Sequence, residues 1–497
     1  MVFSSLIFIF AFLTCVLAFY FMVGRSWRNA TLLIFSIFFY AWGEGAYVAI
    51  MIALAPLNWA LAMGIDAALT HKRRTQILFL AVILDLGVLL HFKYSNFIVE
   101  NLNALLSGIS GGGFSNEPIH LPLGISFFTF HMLSYIIDVY RGIARPQTSL
   151  INFSLYISFF PQLVAGPIIR YHDIATQLTE RRMSVEKFAS GLERFTFGLG
   201  KKMLVANPMG AIADQIFALP STDISSPAAW LGIVAYSFQI YFDFSAYSDM
   251  AIGLARMFGF EFLENFNYPY ISRTIQEFWR RWHISLSNWF RDYVYIPLGG
   301  NRKGPARTYL NLVIIFLLCG FWHGASWNFL VWGLIHGTFL AAERAIPDKS
   351  FAWMPRTLAR LLGHTYVLFI VMIAWVFFRA DTLPQALEYL AVMFGGLGSD
   401  QVRMPLASFL DRQALFLLVV AAVGSTPAFS MLTRDWRKRN NQVRGRTVVA
   451  AAESAFILTN FERYMIAARP VVGACVLVLS IAYLAGQTYN PFIYFRF

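Results

Sequence analysis

Long apolar runs, separated by short polar segments, follow one another along most of the chain. A helix that crosses a membrane needs about 20 mostly apolar residues. Runs of this kind lie near residues 2–24, 30–44, 46–66, 75–95, 118–140, 150–168, 189–217, 228–257, 308–328, 329–347, 361–380, 411–432 and 466–488. The pattern therefore predicts an all-α polytopic membrane protein with roughly ten to thirteen transmembrane and re-entrant helices.

One of these runs contains residues that break helices. The segment 150–168 carries Pro161 and the pair Gly166-Pro167. Proline lacks the amide hydrogen that a helix interior uses, so the backbone groups it frees need partners from protein or water. We therefore expect an interrupted segment here rather than a regular lipid-facing helix.

Composition excludes several protein classes. Of the 497 residues, 58% are apolar and 13% are charged, which is about half of the roughly 25% charged residues of a soluble domain. A soluble enzyme, a coiled coil and a disordered chain are thereby excluded. The net charge of +12 is expected from lysine and arginine in cytoplasmic loops. Nucleic acid is not expected as a partner, because no basic run outside the apolar segments is interleaved with stacking aromatic residues.

Loop charges predict the orientation of the chain. Arg25 and Arg28 follow the first apolar run, and the basic segment 71–74 follows the third. Both lie on one side if the spans alternate, and an excess of Lys and Arg marks the cytoplasmic side. The N-terminus is therefore expected in the periplasm, together with the segment 98–117, which has no Lys or Arg. Further basic stretches expected in the cytoplasm are 141–146, 170–187, 261–307 and 434–446, and the last of these would meet anionic lipid.

The chain shows no internal repeat and no soluble domain. We expect a single membrane domain over residues 1–497, with a catalytic core at about 118–380 and C-terminal helices at 381–497. Ionisable residues inside apolar segments cost roughly 2.5–3.5 kcal/mol each on insertion scales, so each is a candidate for function. Three stretches carry most of them.

The first stretch covers residues 239–250. Asp243 and Tyr247 are four residues apart and share one face of a helix, whereas Asp249 is rotated away from them. The pattern favours Asp243 and Tyr247 as residues that line a tunnel. The alternative is a hydrogen-bond network that joins neighbouring helices, and for Asp249 the two interpretations have equal weight.

The second stretch, 277–292, is predicted to form one amphipathic helix. With a period of 3.6 residues, His283 shares its apolar face with Trp279, Leu286 and Phe290. Guanidinium groups bind phosphate or carboxylate through paired hydrogen bonds, so arginines on the remaining face could receive a phosphorylated donor. Anchoring at lipid headgroups is an equal alternative. The tunnel candidates in this stretch are Trp279, Arg280, Arg281, Ser287 and Arg291.

The third stretch, 319–337, contains His323 and His336 in apolar surroundings. Such surroundings disfavour the imidazolium form and leave a neutral ring that can accept a proton. No Cys or carboxylate lies three or four positions after either histidine, so no metal site is expected. His323 is a catalytic candidate and His336 a structural one, while Trp322 and Asn328 are candidates for the tunnel wall.

These stretches also carry a resemblance. The chain resembles the membrane-bound O-acyltransferase (MBOAT) superfamily, and within it the branch that modifies bacterial polysaccharides such as alginate. The matching segments, in chain order, are PLGISFFTFHMLSYIIDVYRG (122–142), FFPQLVAGPIIR (159–170), QIYFDFSAYSDMAIGLARMFGF (239–260), NFNYPYISRTIQEFWRRWHISLSNWFRDYVYIPLGGNR (265–302), GFWHGASWNFLVWGLIHG (320–337), WVFFRA (375–380) and NPFIYFRF (490–497).

The resemblance implies both a fold and a pair of catalytic residues. The fold would be a ring of tilted helices around a central tunnel, with an acyl donor entering from the cytoplasm and the acceptor meeting it from the other side. The invariant histidine of the family corresponds to His323, and its second, upstream position corresponds to His283.

The function that the resemblance implies is O-acetylation of an exported polysaccharide such as alginate, by an enzyme of the bacterial inner membrane. Acetyl-CoA is expected as the donor substrate, with no bound cofactor. The expected partners are a periplasmic acetyltransferase or a small membrane protein, besides the polysaccharide and membrane lipids. Two alternatives stay open: D-alanyl transfer from a carrier protein, and a non-catalytic transporter or export component.

Overall fold

The computed structural model describes residues 1–107, 114, 117–346, 353–396, 404–428 and 460–493, with the backbone alone for 460–467. Within these ranges all regular elements are helices, and the β-type pairing is limited to an isolated bridge between Ile224 and Met404. The prediction of an all-α protein is therefore confirmed. The basic stretch 434–446 lies outside the described residues. So do residues 108–113 and 115–116 of the segment 98–117, residues 429–432 of the segment 411–432, and residues 494–497 of the segment 490–497.

The N-terminal helices are α1 (Leu13–Met22), α2 (Arg28–Glu44), α3 (Val48–Ala67) and α4 (His71–Ser107). The 37 residues of α4 extend well past residue 95, where the sequence analysis ended this helix, so the prediction of a loop from residue 98 is wrong for its first ten positions. The reason is local: no glycine or proline occurs between residues 88 and 107, so nothing stops the helix.

The next helices are α5 (Ile125–Arg141), α6 (Leu150–Ser158), α7 (Phe160–Leu163) and α8 (Tyr171–Ile174). The predicted interruption of segment 150–168 is confirmed. The helix stops at Phe159, and the amide of Phe160 donates to the hydroxyl of Ser36 at 3.1 Å. Farther on, the amide of Ile168 donates to the hydroxyl of Ser285 at 3.0 Å. Side chains of other elements thus satisfy backbone groups of the broken segment.

The centre of the molecule is built from α9 (Val185–Gly200), α10 (Asn207–Phe217) and the 32-residue α11 (Ser226–Met257). Nearly the whole of α11 is buried. Its glycine at 253 touches the backbone of α9 so closely that a methyl group there would overlap the carbonyl oxygen of Gly191. Small residues let helix backbones approach in this way, and the close contact fixes α11 in the interior.

The stretch 277–292 is not one helix, and here the prediction is wrong. Two short helices, α12 (Ile275–Trp279) and α13 (Ile284–Phe290), are separated by a break at which His283 adopts a left-handed backbone with φ 43°. Main-chain bonds to another segment replace the missing helical bonds. The amide of Asn267 donates to the carbonyl of Arg281, and the amide of Ile284 donates to the carbonyl of Asn265, each at 2.9 Å.

The remaining helices are α14 (Pro305–His323), α15 (Trp327–Ala345), α16 (Arg356–Arg379), α17 (Leu383–Met393), α18 (Arg412–Gly424) and α19 (Asn460–Gly486). In the described ranges, five helical stretches are long and apolar enough to cross a membrane. Only 17% of the apolar window of α4 and 6% of that of α19 is buried, so these two helices lie on the outside, where lipid would cover them. The predicted total of ten to thirteen segments stays a prediction.

Loops that were predicted to share a side of the membrane do meet. The guanidinium of Arg181, in the basic stretch 170–187, donates to the side-chain oxygen of Asn29 at 2.5 Å. Asn29 directly follows the basic residue Arg28 in the chain. At another place the carboxylate of Glu44 lies 3.1 Å from the imidazole of His120. Two of the basic stretches are therefore adjacent, and the predicted orientation of the chain stays a prediction.

Candidate active site

His323 is the last residue of α14, and its side chain is 5% exposed. Three aromatic rings surround it edge to face, with centroids 4.9 Å (Trp322), 5.1 Å (Trp332) and 5.2 Å (Phe378) from the imidazole. Within the described part of the chain, neither ring nitrogen has a hydrogen-bond partner. A buried polar group without a partner is costly in a structural role, and a substrate hydroxyl would supply the missing bond.

His283 lies beside His323, although 40 positions separate them in sequence. The two imidazole centroids are 6.5 Å apart, and His283 is fully buried. The edge of its ring meets Phe244 of α11 at 4.6 Å. The structure thus brings together the two histidines that the sequence analysis selected as catalytic.

Asn265 holds the loop of His283 in place. Its side-chain oxygen lies 3.2 Å from Nδ1 of His283 and accepts hydrogen bonds from the amide and the hydroxyl of Ser285, at 3.1 and 2.9 Å. A left-handed backbone is unfavourable for a residue other than glycine, so these bonds compensate the conformation of His283. Sequence reasoning missed Asn265, which has no helical spacing to the histidine.

A cavity of about 400 Å³ opens beside His323. Its wall includes the polar groups of Glu44, His120 and Ser126, together with Lys93. These residues come from α2, α4, α5 and the segment before α5. The cavity is large enough to admit a small acceptor group to the imidazole.

Lys93 is the second residue that the sequence analysis missed. Its ammonium group is buried and donates to the carbonyl oxygens of Trp322 and His323, at 2.5 and 3.3 Å, and to the hydroxyl of Ser126 at 3.3 Å. The last carbonyls of a helix lack helical partners, and a cation there is favourable. Lys93 therefore fixes the end of α14 that carries His323. The available signal was a charge inside the predicted span 75–95.

Of the aromatic candidates, Trp322 borders the histidine pair, whereas Trp279 contacts His336. Trp322 lines the cavity and stacks on Phe130 with centroids 5.4 Å apart. The indole N–H of Trp279 donates to Nδ1 of His336 at 3.3 Å. His336 is fully buried among aromatic rings, and its structural role stays a prediction. The described residues include no group of three His, Cys, Asp or Glu side chains that could hold a metal ion.

The polar candidates of the second stretch lie apart from this cavity. Arg281 pairs with Glu277 and Arg291 pairs with Asp292, at 3.0 and 2.7 Å, while Arg280 is exposed. The hydroxyl of Ser287 donates to the carbonyl oxygen of residue 279. Their role toward a donor stays a prediction.

Asp243 and Tyr247 share one face of α11, as their spacing predicted. The carboxylate of Asp243 pairs with Lys202 at 2.8 Å and accepts the amide of Ile493 at 3.0 Å. The ring of Tyr247 lies between Phe3 and Phe492, with centroids 4.5 and 4.6 Å away. Asp243 thus joins the C-terminal end of the described chain to α11, and Tyr247 joins both ends to it.

Two further candidates have direct partners elsewhere. The amide group of Asn328 donates to the carbonyl of Ala380 at 2.8 Å, which ties the start of α15 to the end of α16. Asp249, rotated away from Asp243, pairs with Arg194 and Lys201 at 2.8 and 2.6 Å.

A second cavity, of about 520 Å³, adjoins the loop of His283. It is lined by Asp249 with its two basic partners, and by Asn265 and Ile284 of the loop contacts. His283 itself is not among the residues that line this cavity.

Comparison with known proteins identifies the family. Residues 123–380 match the membrane-bound O-acyltransferase (MBOAT) family. The chain belongs to this family. It is 41% identical to a protein named probable alginate O-acetylase AlgI from Azotobacter vinelandii and 40% identical to one of the same name from Pseudomonas putida, with 100% of each chain covered. It is also 34% identical to a peptidoglycan O-acetyltransferase from Helicobacter pylori, over 87% of both chains. The family resemblance seen in the sequence is thus confirmed.

Proposed function

We propose that this protein is an O-acetyltransferase of the bacterial inner membrane that passes acetyl groups toward an exported polysaccharide. The observation that carries the proposal is the buried pair His283 and His323, with an unpartnered imidazole of His323 at the wall of a cavity. The full-length similarity to proteins named alginate O-acetylase gives the substrate class.

In the proposed reaction, His323 acts as general base. A ring nitrogen takes the proton from an acceptor hydroxyl while that oxygen attacks the carbonyl carbon of the acetyl thioester, and the thiolate leaves. A neutral imidazole can accept this proton, and a positioned base typically contributes about 10²–10⁴-fold to the rate. His283 orients the acceptor or polarises the thioester carbonyl. The donor is acetyl-CoA from the cytoplasm.

The proposed orientation places the N-terminus in the periplasm and the basic loops in the cytoplasm. The cavity at His323, beside Glu44 and His120, then opens toward the periplasmic side. The acceptor there is a periplasmic acetyltransferase or a small membrane partner, which passes the acetyl group to the polysaccharide.

The test is transfer or hydrolysis of labelled acetyl groups by the purified protein in lipid nanodiscs. We expect label to leave acetyl-CoA, and a His323→Ala variant to transfer it about 10²–10⁴-fold more slowly. Turnover of a D-alanyl thioester on a carrier protein, but not of acetyl-CoA, would indicate D-alanyl transfer instead. Passage of substrate across sealed vesicles without cleavage of a thioester would indicate a transporter.

A further inference from the structure

Another cavity, of about 1130 Å³, lies where the connection between α1 and α2 meets the segment after α8. None of its lining residues lines the cavity at His323. Its wall carries four arginines, Arg25 and Arg28 from the first segment and Arg181 and Arg182 from the second. No aspartate or glutamate is among the described residues of this wall. Four positive charges therefore face a space that holds no compensating carboxylate.

Two of these arginines converge on a single aromatic ring. The guanidinium carbons of Arg28 and Arg181 lie 5.0 and 5.9 Å from the ring centroid of Tyr20. The Nε atom of Arg28 is buried and has no hydrogen-bond partner in the described part of the chain. A buried N–H of a cation without an acceptor is unfavourable, so this geometry is suited to an anion that accepts from it.

Neutral groups hold Arg181 in position without cancelling its charge. Its Nη1 donates to the side-chain oxygen of Asn29 at 2.5 Å, and its Nε donates to the carbonyl oxygen of Phe258 at 3.1 Å. An arginine fixed in this way loses little side-chain entropy when a ligand binds. The side chain of Asn152, which also lines the cavity, is joined to Asn29 at 2.7 Å. The part of the site around Arg181 is therefore organised before any ligand arrives.

We propose that this cavity binds a phosphate group, which is either the headgroup of an anionic phospholipid or a soluble phosphate. Guanidinium groups match phosphate oxygens through paired hydrogen bonds, and several of them together balance more than one negative charge. Arginines that serve only to orient the chain need no shared cavity and no buried N–H. Trp27 of the cavity wall is 68% exposed, as is Met22 beside the site at 81%, and tryptophan is typical of the level of lipid headgroups.

The experiment measures phosphatidylglycerol bound to the full-length protein by native mass spectrometry. In parallel it measures the thermal shift caused by inorganic phosphate. The test variant is Arg25→Gln/Arg28→Gln. Its matched control, Arg302→Gln/Arg307→Gln, removes the same charge from exposed positions outside the cavity. We expect the test variant to bind at least about tenfold more weakly, since each lost charged hydrogen bond is worth about a factor of ten or more. The control should bind like the unmodified protein.

The two sources of phosphate give different results. Loss of phosphatidylglycerol in the test variant alone, with no shift from inorganic phosphate, assigns the site to lipid. A shift from inorganic phosphate that only the test variant loses assigns it to a soluble phosphate. Equal binding of both ligands by the test and control variants overturns the proposal.

A second variant guards against a failure to fold. Ser26→Glu keeps all four arginines and places a carboxylate at an exposed position in the cavity wall. Its carboxylate should occupy the guanidinium groups and weaken phosphate binding by a similar factor. Normal binding by folded Ser26→Glu protein would also overturn the proposal. None of these readouts depends on acetyl transfer, so they are independent of the proposed function.

Discussion

At the scale of single residues, His323 is the group on which the proposed chemistry depends. His323→Ala should lower acetyl transfer by about 10²–10⁴-fold, because the general base is lost. The fold should survive, since the imidazole has no hydrogen bond to give up within the described chain. The measurement is transfer of labelled acetyl groups by membranes that contain equal amounts of the two proteins.

The control for this variant is His91→Ala. His91 is an exposed histidine of α4 and lies outside the candidate site. It should transfer acetyl groups at the normal rate. A normal rate for His323→Ala, expressed at the same level, would show that the residue is not the base.

Lys93 is predicted to act through His323 rather than on the substrate. In Lys93→Met, the carbonyls of Trp322 and His323 lose their ammonium partner. A displacement of about 1 Å of a catalytic group can cost about 10²-fold in rate, so kcat should fall by about ten- to a hundredfold, with a smaller change in KM. The measurement is the full dependence of the rate on acceptor concentration.

A conservative variant separates positioning from general stability. Lys93→Arg keeps a cation near the end of α14 and should recover part of kcat. Lys72→Met, which removes an exposed lysine of the same helix, should have normal kinetics. Equal loss in the Arg and Met variants, together with reduced amounts of folded protein, would indicate a purely structural lysine.

At the scale of elements, the contact between α14 and α15 sets the position of His323. A methyl group on Gly320 would overlap the carbonyl oxygen of Phe329, and one on Gly333 would overlap that of Phe316. Gly333→Ala should therefore force the helices apart and destabilise the protein by about 1–3 kcal/mol, as overpacking usually does. Acetyl transfer should fall as well, because Gly333 packs against Gly320, which is only three residues before His323.

The matched control is Gly87→Ala in α4, where an added methyl group meets nothing within 4 Å. It should be neutral or slightly stabilising, since alanine favours a helix over glycine by about 1 kcal/mol. Thermal unfolding of both variants in the same detergent measures the difference. A Gly333→Ala protein as stable and active as Gly87→Ala would show that this helix contact is not needed.

At the scale of the whole molecule, the predicted orientation can be tested with cysteine labels. In a chain without Cys15, Cys319 and Cys475, a membrane-impermeant maleimide applied to intact spheroplasts should label His120→Cys. It should label Ser26→Cys only after the membrane is permeabilised. The reverse pattern would invert the orientation and move the cavity at His323 to the cytoplasmic side.

Properties that depend on neighbouring residues alone could be predicted from the sequence. The length of the apolar runs determines that the protein is helical and membrane-embedded, because each spanning helix must satisfy its own backbone and cover itself with apolar side chains. Pro161 likewise interrupts the helix of its own segment, whatever that segment packs against. The shared motifs identified the family and selected His283 and His323.

Only the tertiary structure decided how distant residues meet. The helix predicted over 277–292 from its 3.6-residue period is interrupted at His283. Main-chain hydrogen bonds to Asn265 and Asn267 replace the helical bonds there. Lys93 meets Trp322 and His323 across 229 and 230 positions. The arginine cavity joins residues 25–28 to residues 181–182. Side chains far apart in sequence interact only after packing brings them together, so no local pattern could specify these contacts.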